Sequence, residues 1–151
     1  IPYGAVSLAE KFNAHDKISA QDLFKFYRFV LYKFRQLPWL LQGTKLPLVL
    51  LGGANRTVAR KELMRLGRKD LENIHGVSMS AYSFIETYTE WLGMDCKERA
   101  DILGPEAERA DIIIAGLSPI MFLIEYLQTP EIIFSESGVR EGVLYSMLKR
   151  K

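Results

Sequence analysis

The sequence predicts a helix-rich α/β fold with a small three-stranded sheet. Three observations lead there. The run Leu46-Pro47-Leu48-Val49-Leu50-Leu51 is apolar and closed by Gly52-Gly53, the pattern of a strand buried on both faces. A shorter apolar segment, Glu131-Ile132-Ile133-Phe134, again leads into a glycine-bearing turn. The mostly apolar Ile1 to Ser7, broken by Gly4, reads as the end of a third strand. Most of the chain between these segments has helical spacing, and strands separated by helices imply parallel pairing.

Taken in order, the N-terminal strand turns into a short helix over Leu8 to Asn13. Ser19 is a good N-cap, with Asp22 placed to suit the positive end of the dipole, for a helix reaching about Gln36. Leu23, Tyr27, Val30, Leu31 and Phe34 recur on one face of it. Phe24, Phe26, Phe29 and Tyr32 lie off that stripe, so the helix is buried on two sides or covers an interface. Leu37-Pro38 ends it, because the residue before a proline avoids the helical region. After the Gly52-Gly53 turn, Asn55 to Leu66 is helical and stops at Gly67. His75 to Met79 is a short extended link, and Ser80 caps a helix over Ala81 to Leu92. Asp95 caps another to Ile102, broken at Gly104-Pro105. A long helix, Ala107 to Leu127, bends at Pro119. Gly138 opens the last helix, Val139 to Leu148, before the tail Lys149-Arg150-Lys151, which reads as a frayed end.

Composition narrows the class. With 151 residues, 48% hydrophobic and 25% charged, the chain is an ordinary globular protein of about one domain's length. The single cysteine, Cys96, excludes an internal disulfide and a cysteine-rich zinc site. A net charge of +2 does not announce a nucleic-acid binder, and nucleic acid is not an expected partner. The longest apolar run, Ile112 to Ile124, is too short to span a membrane and contains Ser118 and Pro119. No membrane association is expected, and these negatives point to the cytoplasm.

The strongest chemical candidate is Gly52-Gly53-Ala54-Asn55-Arg56, where a strand turns directly into a helix. Glycines allow positive φ and close approach by a ligand, the helix amides favour an anion, and Arg56 can contact a phosphate. A tight turn without a ligand fits the same residues. Arg56, Arg60, Lys61, Arg65, Arg68 and Lys69 then crowd one helix, with like charges four residues apart and Glu62 alone between them. They read as a track for a polyanion or as a solvated face. In the second glycine element, Ser135 to Gly142, Arg140 sits in a first helical turn, where a cation opposes the dipole. It calls for a partner: a phosphate, a distant carboxylate or Glu141. His15 and His75 form no paired-histidine metal motif, and the sequence offers no metal ligand set and no nucleophile elbow. Arg109-Ala110-Asp111 reads as a structural pair locking a helix start. The cations beside the aromatics of the Ser19 helix read as core or interface packing rather than base stacking.

In this order the motifs resemble the exopolyphosphatase / guanosine pentaphosphate phosphohydrolase family. The resembling pieces are Pro2-Tyr3-Gly4-Ala5-Val6 with Leu8, Leu51 to Arg56 with Ala59-Arg60, and His75-Gly76-Val77 with Ser80. Arg109 to Ile113 with Ala115-Gly116 follows, and then Ser135 with Ser137 to Gly142. The glycine turn is also similar to the adenosine-side turn of the actin-like ATPase superfamily. The resemblance implies magnesium-dependent removal of terminal phosphates from polyphosphate or guanosine pentaphosphate, in the cleft between two ribonuclease H-like domains. It implies that residues 1–151 are one domain, the second of the two, incomplete at its N-terminus. The family's water-positioning acid and its two glycine-rich phosphate loops fall before the matched part, so no catalytic residue is assigned and the piece itself is expected to be inactive. Gly52, Gly53, Ala54, Asn55 and Arg56 become phosphate-binding candidates, with Arg60 and Arg140 as further polyanion contacts. The family often carries a hydroxyl residue where Ala54 stands, so one phosphate contact is missing. Two other readings stand beside this one: a nucleotide-binding regulatory member of the superfamily without turnover, and a basic polyanion-binding module. An exposed sheet edge seeks a partner, so a homo-oligomer is expected, through the N-terminal strand or the aromatic helix.

Overall fold

The computed structural model describes residues 2–149. The helix-rich α/β class holds: seven α-helices and two 3₁₀ segments surround a three-stranded sheet among those residues. The strands are β1 (Leu48–Leu50), β2 (Ser78–Ser80) and β3 (Glu131–Phe134), in the order β1-β3-β2. β1 pairs parallel to β3, with Val49 opposite Ile133, while β2 pairs antiparallel to β3, with Met79 opposite Ile132.

The third strand is therefore not where the sequence placed it. Residues Pro2 to Val6 form no strand, and helix α1 spans Ala5–Phe12. Its start is fixed locally: the Gly4 amide donates to the Ser7 hydroxyl at 3.1 Å, and that hydroxyl donates to the Gly4 carbonyl at 3.0 Å. The supposed link at Ser78–Ser80 supplies β2 instead, because Met79 packs inward between two exposed serines. That is the period-2 alternation of a strand in its shortest form. Pairing is thus parallel on one side of β3 only. Nor is the β1 segment buried on both faces: Leu50 is buried, but Val49 is 56% exposed.

Helix α2 (Ala20–Arg35) starts where the cap predicts, the Asp22 amide donating to the Ser19 hydroxyl at 3.0 Å. Val30 and Phe34 of the predicted stripe are buried, but Phe26 joins them from outside it and Tyr27 is exposed. Phe26 stacks on Phe12 with centroids 4.4 Å apart and meets Phe122 edge-on at 5.6 Å. Helices α3 (Gly53–Arg65), α4 (Ala81–Leu92) and α5 (Cys96–Leu103) follow their predicted boundaries closely. At α5 the Glu98 amide donates to Asp95 and the Asp95 amide to Glu98, both at 2.8 Å, a reciprocal capping box.

The expected long helix from Ala107 is divided. A 3₁₀ segment, Gly104–Arg109, precedes α6 (Ile113–Leu127), and the chain turns by 95° between the α5–3₁₀ unit and α6. Pro119 lies inside α6 without breaking it. No single helix among the described residues is long and apolar enough to cross a membrane. Helix α6 is the central element. Ile113, Ile114, Leu117 and Ile124 face a core shared with the sheet, α3 and α4. Ala115 and Phe122 face a second core with α1 and α2. Helix α7 (Val139–Leu148) has no buried residue, and the tail residues Arg150 and Lys151 lie outside the described range, as does Ile1.

Candidate anion-binding cleft

The two glycine elements meet at one end of the sheet. β1 and β3 run parallel, so the turns that follow them leave on the same side. This is the carboxyl end of parallel strands, where α/β sheets hold their ligands. The Ser135 amide donates to the Leu50 carbonyl at 2.9 Å, tying the second turn to the end of β1.

Gly52 has φ 103° and ψ 171°, a conformation open essentially to glycine alone. It turns β1 directly into α3 with no side chain capping the helix. The Arg56 amide donates to the Gly52 carbonyl at 3.1 Å, which leaves the Gly53, Ala54 and Asn55 amides as the uncapped first turn. Those donors and the positive end of the helix face a cleft of 330 Å³.

Asn55 is buried, and its Nδ2 donates to the Leu51 carbonyl at 2.6 Å. That bond fixes the amide and leaves Oδ1 buried without a partner. Ala54 lines the cleft but also faces α6: a Cβ built on Gly116 would stand 3.2 Å from the Ala54 Cβ. The small pair lets α3 and α6 approach closely, which accounts for alanine at this position.

Arg109 is the residue sequence reasoning assigned only to structure. Its guanidinium lies against Gly53, so close that a Cβ there would stand 2.8 Å from Cζ and 3.1 Å from Nη2. It therefore hangs over the uncapped amides as a second positive wall. Asp111, its expected partner, lies 3.9 Å from His15 Nδ1 instead. The overlooked signal was a pairing of types: a glycine that needs no side chain and an arginine that needs that space.

Arg56 is exposed at the same end, and Glu141 brings the second glycine element into the site. The Gly138 amide donates to Glu141 Oε2 at 2.6 Å. The amides of Glu141 and Gly138, with the charges of Arg140 and Arg56 behind them, hold this carboxyl below its usual range. Arg140 thus has an acid in its field, one of the partners its position called for.

Three of the six residues of the basic track are paired with acids. Arg60 pairs with Glu72 at 2.9 Å and with Glu106, Lys61 pairs with Glu90, and Arg65 pairs with Glu62 at 2.6 Å. Three of these acids come from other segments, which spacing along one helix could not reveal. Arg60 points toward them and does not line the cleft beside Gly53. No carboxylate lines that cleft, and no cluster of three or more His, Cys, Asp or Glu suited to a metal occurs among the described residues. Its donor set is amides and guanidinium, which fits an anion and does not fit magnesium.

Comparison with known proteins gives the family and the fold. The family model described as the Ppx/GppA phosphatase family matches residues 1–151. A solved Ppx/GppA phosphatase of Aquifex aeolicus, a type II variant, is 26% identical with a TM-score of 0.78, over 97% of this chain and 47% of that one. Another structure of the Aquifex aeolicus family member is 25% identical with a TM-score of 0.81, over 99% and 48% of the two chains. An exopolyphosphatase from Cytophaga hutchinsonii shares the fold, with 22% identity, a TM-score of 0.80 and coverage of 99% and 48%. The chain thus spans about half the length of these structures. No curated protein matches it.

Proposed function

The chain belongs to the Ppx/GppA phosphatase family, and from that membership and the cleft we propose that it is the phosphate-binding wall of an exopolyphosphatase-type enzyme. The reaction is hydrolysis of the terminal phosphoanhydride bond of polyphosphate or guanosine pentaphosphate. The observation that carries this reading is the Gly52–Gly53 turn, with its uncapped α3 amides under the Arg109 guanidinium.

The amides of Gly53, Ala54 and Asn55 and the guanidinium of Arg109 bind phosphate oxygens from two sides. Arg56 adds charge at the mouth, balanced by Glu141 when no ligand is bound. Asn55 holds the turn through Leu51, and its free Oδ1 accepts a hydrogen bond from a substrate hydroxyl or from water. Phosphoryl transfer is mostly positioning and charge stabilisation, and this wall supplies both. It supplies no base, so the chain alone binds without turnover. Magnesium, where the reaction uses it, is held by residues other than those of this cleft. The chain then forms part of the second domain of a two-domain enzyme, whose other residues complete the site.

Two measurements test this together. Tripolyphosphate binds the chain in a calorimetric titration, and Arg109→Ala and Arg56→Ala weaken it. A full-length protein containing the chain releases phosphate from polyphosphate or guanosine pentaphosphate, and the same substitutions slow it. No binding by the folded chain and no turnover by the full-length protein would overturn the proposal.

A further inference from the structure

Two stretches of chain meet in antiparallel register beside the glycine turn. Along α3 come Gly53, Thr57 and Arg60, and the 3₁₀ segment Gly104–Arg109 lies against them in the opposite sense. Gly53 faces the Arg109 guanidinium. One to two turns further along α3, Thr57 and Arg60 meet the Glu106 carboxylate. Thr57 Oγ1 donates to Glu106 Oε2, and Arg60 Nη1 pairs with Oε1, so α3 holds both oxygens of one carboxylate. Thr57 is 5% exposed and the Glu106 side chain 17%, which leaves solvent little room to screen the contact.

Among the described residues, Glu106 makes every side-chain hydrogen bond and ion pair between this segment and α3. Beyond it, a cleft of 540 Å³ opens between α3, the end of α4 and the segment. The chain after Arg109 is held separately, at the Ala110 carbonyl, which accepts from Arg99 Nε at 2.8 Å. Charge balance alone gives no reason for an acid here. Arg60 already has Glu72 at 2.9 Å, and a carboxylate near an anion cleft opposes the anion.

We propose that Glu106 is a positioning residue of the anion cleft: it clamps the 3₁₀ segment to α3 and so keeps Arg109 over Gly53. It does not line that cleft itself. The inference rests on the anion reading given under the proposed function.

The sign of the effect separates a clamp from a charge. Glu106→Gln removes one negative charge, so an acid that acted by charge alone would bind tripolyphosphate more tightly once removed. A clamp predicts the reverse. In calorimetric titration of the chain, Glu106→Gln weakens tripolyphosphate binding about tenfold, the worth of one charged hydrogen bond. Thr57→Val, which leaves every charge in place, weakens it as well. Neither substitution weakens binding further in Arg109→Ala, whereas a general loosening of the fold would act in both backgrounds. The Gly53 amide resonance, read without ligand, moves in Glu106→Gln, and the same substitution leaves it in place in Arg109→Ala. Unchanged or tighter binding in Glu106→Gln, or an equal loss in the Arg109→Ala background, would overturn the clamp and leave the anion reading standing. Absence of binding by the parent chain would overturn the anion reading, and a Gly53 resonance indifferent to Glu106→Gln would then overturn the clamp too.

Discussion

Replacing Gly53 by alanine separates the proposed anion site from the fold. Gly53 has no positive φ to protect, and it opens α3, where alanine is favoured over glycine by about 0.5–1 kcal/mol. The three atoms nearest the new Cβ all belong to the Arg109 guanidinium, with Cζ at 2.8 Å, whereas ordinary contact begins at 3.4 Å. The far end of an arginine can yield, and it must withdraw by roughly 1 Å, a displacement that is costly at a charge-binding site. Losing a charged hydrogen bond costs about 1.5–3 kcal/mol, which is roughly ten- to hundredfold in Kd. The assay pairs a thermal melt with calorimetric titration of tripolyphosphate. Gly53→Ala is expected to melt at or above the parent temperature and to bind roughly ten- to hundredfold more weakly, approaching Arg109→Ala. Parental affinity in Gly53→Ala, with a normal melt, would refute the placement of Arg109 over the bound anion.

Other substitutions read other parts of the structure. Gly52→Ala forces a side chain into φ 103°, costs about 1–3 kcal/mol and lowers the melting temperature by several degrees, opposite in sign to Gly53→Ala. Burial pushes the Tyr88 phenol up to about 12, against the Ser118 hydroxyl 2.9 Å away. Its stabilisation is therefore intact below the ordinary phenol pKa of about 10 and lost as pH rises through about 12, a dependence that Tyr88→Phe removes in alkaline melts. The lowered Glu141 carboxyl works in the other direction: its cap on Gly138 holds above the ordinary carboxylate range and is lost as pH falls through the lower folded value. The Gly138 amide resonance should shift in acid in the parent and stay in place in Glu141→Gln. Exposed Val49 on edge strand β1 predicts concentration-dependent self-association by light scattering, reduced by Val49→Lys.

What could be read from the sequence follows from the range of the interactions involved. Ser19, Ser80 and Asp95 act within three residues, and all three caps stand where spacing put them. The β1–α3 turn was legible because Gly52 and Gly53 signal it in one dipeptide. The N-terminal strand failed because an apolar run with one glycine suits a strand end and a helix start equally, and the Ser7–Gly4 bonds decide for the helix. β2 was missed because three residues carry almost no period. The basic helix misled because its acids, Glu72, Glu90 and Glu106, lie up to 46 residues away, counted from Arg60 to Glu106.

Arg109 needed the longest chain of causes. It stands at the end of the 3₁₀ segment, just before the chain turns into α6. What fixes that corner is Arg99, 1% exposed, which has no acid partner among the described residues. Its guanidinium donates to the carbonyls of Ala110 at 2.8 Å, Met94 at 2.6 Å, His15 at 3.1 Å and Asp16 at 3.2 Å. Arg99 thus pins the α1–α2 link, the start of α5 and the residue next to Arg109 to one point. Removing one partner of a buried charged network costs about 3–5 kcal/mol, whereas Arg109 is half-buried and touches a turn that glycine leaves open. One arginine is spent on position, and the other is the one the proposed function assigns to an anion. From the sequence the two are alike, and only their surroundings, four carbonyls for Arg99 and a glycine cleft for Arg109, tell their roles apart.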